Sequence, residues 1–291
     1  MKKNNIKCIK TIKVHSFRVK SLLLLRDNTI ASCSYDKTIM IYNPNSNYKV
    51  EQVIQSNYIN SMCQLEDGTI ASCSKLGAVY IGEFAIENAH EQEVTKIISL
   101  PNNRIASCSF DKTIKIWNCT KPYSDTPIVV LEKQTEYVYS MIYIKERDLI
   151  AAGTGKSKIQ FWSMLTYQCV SIIKGVECWN RNAIYQLDKD RLITGGYYKV
   201  FIINIDKCIT EKICDIDEIG YVNCFMRMEN IVICGGDKGN FCFFDIESGK
   251  YKIKRKVHET DKKVNDLLRI DEHTFMSCSD DYTCKVWKYN L

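Results

Sequence analysis

One segment of this chain returns again and again. The run TIASCSYDKTIMIYN at residues 29–43 reappears as RIASCSFDKTIKIWN at 104–118 and as TFMSCSDDYTCKVWK at 274–288. Weaker copies that keep the apolar pattern begin at Thr69, Leu149 and Ile231, and a seventh, one residue shorter in its turn, begins at Arg191. Marking each copy by one residue of its first apolar run gives Ala31, Ala71, Ala106, Ala151, Thr194, Ile233 and Met276, spaced by 40, 35, 45, 43, 39 and 43 residues. Such a period admits few architectures, because each unit must bury its apolar face against copies of itself.

Within each copy, apolar and polar residues alternate over a short run, a polar tight turn follows, and a second alternating run succeeds it. That pattern predicts two antiparallel strands joined by a hairpin. A further apolar run lies upstream, as at residues 19–25 and 94–100, and a fourth downstream, as at 48–54. Four strands in about 40 residues make one propeller blade, and the period is too long for leucine-rich or ankyrin units. The expected fold is all-β: a seven-bladed β-propeller formed by residues 1–291 as a single domain. An open ring would leave two sheet edges exposed to aggregation. The sequence stops soon after the third strand of the last copy, and residues 7–13 alternate as a strand ahead of the first. This N-terminal strand is expected to complete blade seven as its outer edge.

Composition agrees with a packed soluble domain: 45% of residues are hydrophobic and 25% charged. No apolar run approaches the roughly 20 residues of a membrane-spanning helix, and no secretion signal follows the N-terminal lysines. A cytoplasmic or nuclear chain is expected. The 15 cysteines include no Cys-x-x-Cys pair, and several lie within predicted strands, so reduced core thiols are expected rather than disulfides. Cys33, Cys73, Cys108 and Cys278 share one repeat position on different blades, which keeps them from converging on a zinc ion at about 2.3 Å. No metal or cofactor is expected.

His15 precedes Asp36 by 21 residues, His90 precedes Asp111 by 21, and His258 precedes Asp281 by 23. The other four copies have neither residue at the matching position. A His and an Asp that come and go together behave as one interacting unit. With these residues the chain resembles the WD-repeat family over essentially its whole length. The resemblance implies a hydrogen-bonded brace in which the His before a blade, the Asp of its hairpin, a Ser or Thr and a Trp are linked. A partly buried carboxylate is costly unless hydrogen-bonded, and an imidazole N–H is a good donor for it. Ser34, Ser109 and Ser279 are candidates to carry the chain on to Trp117 and Trp287. Blade one has Tyr42 where the Trp belongs, and an incomplete brace is the corresponding expectation. Blades two, four, five and six are expected to rely on apolar packing and their hairpin ladders.

Two constellations imitate enzymes. Ser34, His15 and Asp36 have the residue types of a hydrolase triad, yet the set recurs in a framework turn of three blades and has no accompanying oxyanion site. The stretch GTGKS at 153–157 ends like a phosphate-binding loop, but Ile150 stands where the first glycine belongs and a hairpin replaces the required strand-to-helix junction. No catalytic residue is assigned, and the chain is read as a non-enzymatic scaffold for protein–protein interactions.

Charge is localised. Residues 1–20 carry +7 and residues 250–263 carry +5, while the whole chain carries +6. The outer strand of blade six, expected at 250–257, would therefore set Lys252, Lys254, Arg255 and Lys256 beside the N-terminal strand as one basic flank. Two readings stand: lysines that block edge-to-edge aggregation, or a site for an acidic partner, anionic lipid or nucleic acid. Similar WD-repeat propellers bind proteins and peptides through the loops entering each blade and the hairpins between second and third strands. The resemblance places Arg18, Tyr58, Tyr137, Trp179, Arg181 and Tyr221 on the entering loops, and Tyr35, Phe110 and Tyr197 on the hairpins. Aromatic and arginine side chains dominate many interfaces; some of these would alternatively cap the blade core. The expected partners are proteins or peptides, bound by a monomer or by a subunit of a larger complex.

Overall fold

The computed structural model describes residues 5–131, 135–254 and 256–290. They form seven antiparallel sheets of four strands each, in two compact units: residues 1–58 with 216–291, and residues 59–215. The fold is the seven-bladed β-propeller that the repeat predicts. The first unit holds blades one, six and seven; the second holds blades two to five.

Alternation along the strands decides what is buried. In blade one the second strand (Ile30–Ser34) is buried throughout, whereas the outer fourth strand (Lys49–Gln55) is largely exposed. Ala31, Ala71, Ala106 and Ala151 are fully buried, and their small side chains let large neighbours fill the space between adjacent blades. In the first unit Phe241 of blade six packs against both Phe275 and Trp287 of blade seven, with ring centroids 5.7 and 5.3 Å away. In the second unit Trp117 joins the core between blades two and three, and Trp162 the core between blades three and four.

A β-bulge interrupts the first strand pair in six blades, between Val19 and Ser21, Ile59 and Ser61, Val94 and Lys96, Val138 and Ser140, Val222 and Cys224, and Val264 and Asp266. A bulge re-aims the extra residue out of the pleat. Several of these residues reach the next blade: Asn60 Nδ2 donates to the Val94 carbonyl at 2.8 Å, Thr95 Oγ1 to the Val138 carbonyl at 2.8 Å, and Asn265 Nδ2 to the Val19 carbonyl at 2.7 Å.

The N-terminal strand spans Asn5–Ile12 and pairs antiparallel with Cys284–Asn290, giving blade seven its outer strand. Ile6 and Ile12 are buried by this pairing. The outer strand of blade six is shorter than the expected 250–257 and covers Tyr251–Lys254. Lys256 has left-handed backbone (φ 56°), and its N–H donates to Asn240 Oδ1 at 3.1 Å instead of joining the ladder. Arg255 lies outside the described residues.

Burying Ile6 and Ile12 stabilises by roughly 1.5–3 kcal/mol each. Deleting residues 1–13 is therefore expected to lower the melting temperature and to promote self-association through the exposed Cys284–Asn290 edge. Unchanged melting together with monomeric elution in size-exclusion chromatography would refute this role.

Candidate partner-binding site

The three His–Asp pairs meet as hydrogen bonds. His15 Nδ1 lies 2.7 Å from Asp36 Oδ2, His90 Nδ1 2.8 Å from Asp111 Oδ2, and His258 Nδ1 2.8 Å from Asp281 Oδ2. Each carboxylate also accepts the N–H that follows the His, from Ser16, Glu91 or Glu259, and both the N–H and the hydroxyl of Thr38, Thr113 or Thr283.

The serines that extend these chains are not the expected ones. His Nε2 contacts Ser32, Ser107 and Ser277 at 2.7, 2.7 and 2.8 Å, and Trp117 and Trp287 each donate Nε1–H to Ser107 and Ser277 at 2.8 Å. Ser34, Ser109 and Ser279 share the same strand face two residues on, but stand at the hairpin. Their hydroxyls accept the N–H of Asp36, Asp111 and Asp281 instead. Blade one is also complete: Tyr42 is fully buried, with its hydroxyl 2.6 Å from Ser32 Oγ. A phenol thus takes the place of the indole.

The direction of the chain follows from its members. Indole is a donor only, so Ser107 and Ser277 accept from it and pass their own proton to His Nε2. Neutral imidazole then carries its proton on Nδ1 and donates it to the carboxylate. Burial supports this state by pushing His90 and His258 below the usual imidazole range, against the pull of Asp111 and Asp281. Burial works the other way on the carboxyls. Hydrogen bonds from the His and Thr outweigh it, holding Asp36 at about 2 and Asp111 and Asp281 well below the carboxylate range. Half-buried Lys115 and Lys285 amines, absent from the sequence reading, donate to the Ala89 and Val257 carbonyls at 2.7 and 2.8 Å and so fix the backbone just before His90 and His258.

Two of the remaining blades, five and six, are not held by apolar packing and ladders alone. In blade five Glu177 Oε2 accepts the Tyr197 N–H at 2.7 Å, and in blade six Asp237 Oδ1 accepts the Tyr221 N–H at 3.1 Å. Blade four keeps a Trp but has Ala152 where blade three has Ser107, and Trp162 Nε1 is buried without a partner among the described residues. Gly77 and Gly239 have positive φ, and a Cβ there would come within 2.5 Å of the His90 carbonyl and 2.4 Å of the Glu259 carbonyl. Only glycine lets these hairpins approach the loops that carry the next blade's His.

One backbone bond recurs at the hairpin ends. The N–H groups of Tyr35, Phe110, Gly155, Asp237 and Asp280 donate to the carbonyls of Arg18, Glu93, Tyr137, Tyr221 and Lys263 at 3.0–3.1 Å. It holds each hairpin beside its own entering loop, so residues from both can share a surface. In the first unit Tyr35 and Tyr58 meet edge-to-face at 6.1 Å, Arg18 is exposed beside Asp280, and Tyr221 is half-buried at its latch. In the second unit Phe110 packs 5.3 Å from Tyr137 and 5.2 Å from Tyr139, with Lys112 Nζ 5.9 Å from the Tyr137 ring. Trp179 is exposed, and Tyr197 packs on Tyr198 at 4.2 Å. Arg181 instead forms an ion pair with Glu93 of blade three.

Phe17, Tyr282 and Tyr139 join these groups without having been singled out in the sequence. Aligning the hairpin triplets Tyr35-Asp36-Lys37, Phe110-Asp111-Lys112 and Asp280-Asp281-Tyr282 would have found Tyr282, since all three last residues have φ near 70°. Of the basic flank, Lys252 and Lys256 are exposed, but Lys254 Nζ donates to the Ile6 carbonyl at 2.6 Å, tying blade six to the N-terminal strand. Among the described residues no His, Cys, Asp and Glu group could hold a metal ion.

The family model for the WD domain, G-beta repeat, matches residues 6–43, 83–118 and 250–288, the segments that carry the three braces. In these three segments the chain is similar to the WD-repeat family. Its fold matches the crystal structure of the WD40 β-propeller domain of Doa1 with a TM-score of 0.78 over 97% of both chains, at 14% identity. Part of the sequence is 27% identical over 93 residues to the nuclear distribution protein nudF of Aspergillus niger, covering 32% of this chain and 20% of that protein. Over 84 residues the chain is 31% identical to nuclear distribution protein nudF 1 of Talaromyces marneffei, covering 29% of this chain and 18% of that protein. The chain thus aligns with about a fifth of the length of these curated relatives.

Two outcomes follow for the WD-repeat braces. His90→Ala is expected to destabilise the fold by about 1–3 kcal/mol, since it strands a buried carboxylate and a serine hydroxyl, and to couple with Asp111→Ala in a double-mutant cycle. The His contribution is complete above the unfolded imidazole value of 6.5 and is lost as pH falls towards the depressed folded value. The carboxylates add a second loss as pH falls below 3.8 towards about 2. The melting temperature of wild type should therefore fall from pH 7 to pH 5, and less steeply for His90→Gln; parallel pH profiles would contradict this. Separately, Ala152→Ser offers the Trp162 indole an acceptor and is expected to stabilise by about 1 kcal/mol, roughly 2 °C by calorimetry. A lower melting temperature would place the indole out of reach of residue 152.

Proposed function

We propose that this WD-repeat chain is a non-catalytic docking platform that assembles protein partners on the hairpin ends of its blades. The observation that carries this reading is the exposure of Phe17, Tyr137, Trp179, Tyr197 and Tyr282 at those ends, on a backbone made rigid by the braces and latches. Aromatic side chains that already sit in fixed positions gain buried area at modest entropic cost, and such residues commonly dominate binding energy. The Ser, His and Asp sets are consumed in holding hairpins: Ser107 and Ser277 each bridge a His ring nitrogen to an indole N–H, and Ser32 bridges one to the Tyr42 hydroxyl, so none is left as a nucleophile. With none of the 15 cysteines in a disulfide, a reducing compartment, cytoplasm or nucleus, fits the chain.

The basic flank is the weaker candidate. Lys254 is committed to the Ile6 carbonyl, and isolated exposed lysines gain under about 1 kcal/mol from each ion pair. Replacing Tyr35, Phe110 and Trp179 with Ala is expected to abolish capture of the principal cellular partner, each truncation costing about 2 kcal/mol or more, with little change in melting temperature. Replacing Lys252, Lys254, Arg255 and Lys256 with Ser should mainly slow association and weaken its salt dependence. Capture that survives the aromatic substitutions and disappears with the lysines would move the function to the flank.

A further inference from the structure

Four rings on the hairpins of blades seven and one and on the adjoining loops stand in a continuous ladder within the first unit. Tyr282 and Phe17 stack with centroids 5.5 Å apart, Phe17 and Tyr35 follow at 6.5 Å, and Tyr35 and Tyr58 meet edge-to-face at 6.1 Å. Phe17 and Tyr282 remain 40% and 39% exposed. Three cations lean on the ladder: Arg18 lies 5.9 Å from the Phe17 centroid, Lys20 Nζ 5.3 Å from Tyr35, and Lys37 Nζ 4.9 Å from Tyr58.

The acids of the same two hairpins face inward. Asp36 and Asp281 are bound in the braces, with side chains 5% and 1% exposed. Asp280 accepts from Lys20 at 3.0 Å and from Asn265 at 2.7 Å, and stands 3.9 Å from Arg18. Glu259 and Asp261, on the loop entering blade seven, are accompanied there by Lys262 and Lys263. Solvent at the ladder therefore meets apolar ring faces flanked by the exposed groups of Arg18 and Lys37. The asymmetry is a by-product of bracing, which draws carboxylates into the hairpins and leaves the cations outside.

We propose that this ladder binds an extended acidic peptide with apolar side chains at alternate positions, a reading that rests on the docking function above and names its partner chemistry. Alternate side chains of an extended chain project to one side about 6.5–7 Å apart, close to the ring spacing of 5.5–6.5 Å. Apolar residues on that side stack on the rings, and the intervening carboxylates reach Arg18 and Lys37 in charge-assisted hydrogen bonds. Single-stranded nucleic acid would also stack on such rings, but it needs a file of cations along its phosphates. Of the three cations that lie against the rings, Lys20 is 6% exposed and engaged with Asp280 and Asn265, which leaves Arg18 and Lys37 for that task.

The test uses the full chain and fluorescein-labelled peptides in which Asp or Glu alternates with Leu and Phe, read by fluorescence anisotropy. Controls replace the acids with Lys or the apolar residues with Ser, and a labelled oligo-thymidylate of similar length represents nucleic acid. The acidic apolar peptide should bind saturably, with both peptide controls and the oligonucleotide about tenfold weaker or more. Phe17→Ala and Tyr282→Ala, both at exposed rings and checked by melting temperature, should each weaken binding severalfold, and Arg18→Glu should weaken it further at low salt than at high salt. Equal binding of the lysine peptide, indifference to Phe17 and Tyr282, or preference for the oligonucleotide would overturn the proposal. Failure of every peptide, with partner capture still dependent on Phe110 and Trp179, would remove the ladder's assignment and leave the docking function standing.

Discussion

A carboxylate folded into a tight hairpin is the interaction on which the three braced blades depend. Asp36, Asp111 and Asp281 each collect bonds from a histidine, two backbone amides and a threonine hydroxyl. A buried charge with fewer donors would cost several kcal/mol. Satisfying it draws the entering loop, the hairpin and the second and third strands into one fixed arrangement. The serine and the indole or phenol then carry the order from the surface to the inter-blade core, where Trp117, Trp287 and Tyr42 are buried.

The repeat made the blades legible because a period near 40 residues and a strand period of two act on every copy. The His–Asp spacing was legible for the same reason: three copies keep it and four lack both members. The serine assignment failed because Ser32 and Ser34 share a strand face, as do Ser107 and Ser109, and spacing alone does not say which of the two stands beneath the histidine. Register does. Ser107 lies two residues from the Ile105–Trp117 pair, on the same face, and Ser109 lies beyond the last pair of that ladder. Tyr42 misled in another way, since motif matching treats a phenol as a loss although its hydroxyl can reach the same oxygen.

At the surface, legibility was limited by what a side chain does once its neighbours arrive. Arg18 and Arg181 look alike in sequence, each just ahead of a first strand, yet Arg18 stays exposed while Arg181 is drawn to Glu93. Lys254 reads as part of a charge run, and its amine ends on the Ile6 carbonyl, an atom about 250 positions away in sequence. Long-range backbone partners of this kind leave no trace in local composition. Hairpin aromatics escaped for a different reason: Phe17 and Tyr282 belong to different blades, and only their juxtaposition makes either notable.

Rigidity and the proposed binding are linked through the same few residues in blades seven and one. The brace occupies the middle residue of each hairpin, Asp36 or Asp281, and in doing so turns its neighbours outward: Tyr35 and Lys37 on one, Tyr282 on the other. Holding those rings in place removes part of the ordering cost that a partner would otherwise meet on binding. Neutralising the acids internally leaves Arg18 and Lys37 to set the sign of the exposed surface. Unbraced blades five and six rely on packing, backbone latches and single carboxylate contacts, Glu177 to the Tyr197 N–H and Asp237 to the Tyr221 N–H, with fewer bonds to fix what their hairpins display. The His–Asp brace of blades seven and one is therefore also what sets which side chains their hairpins display.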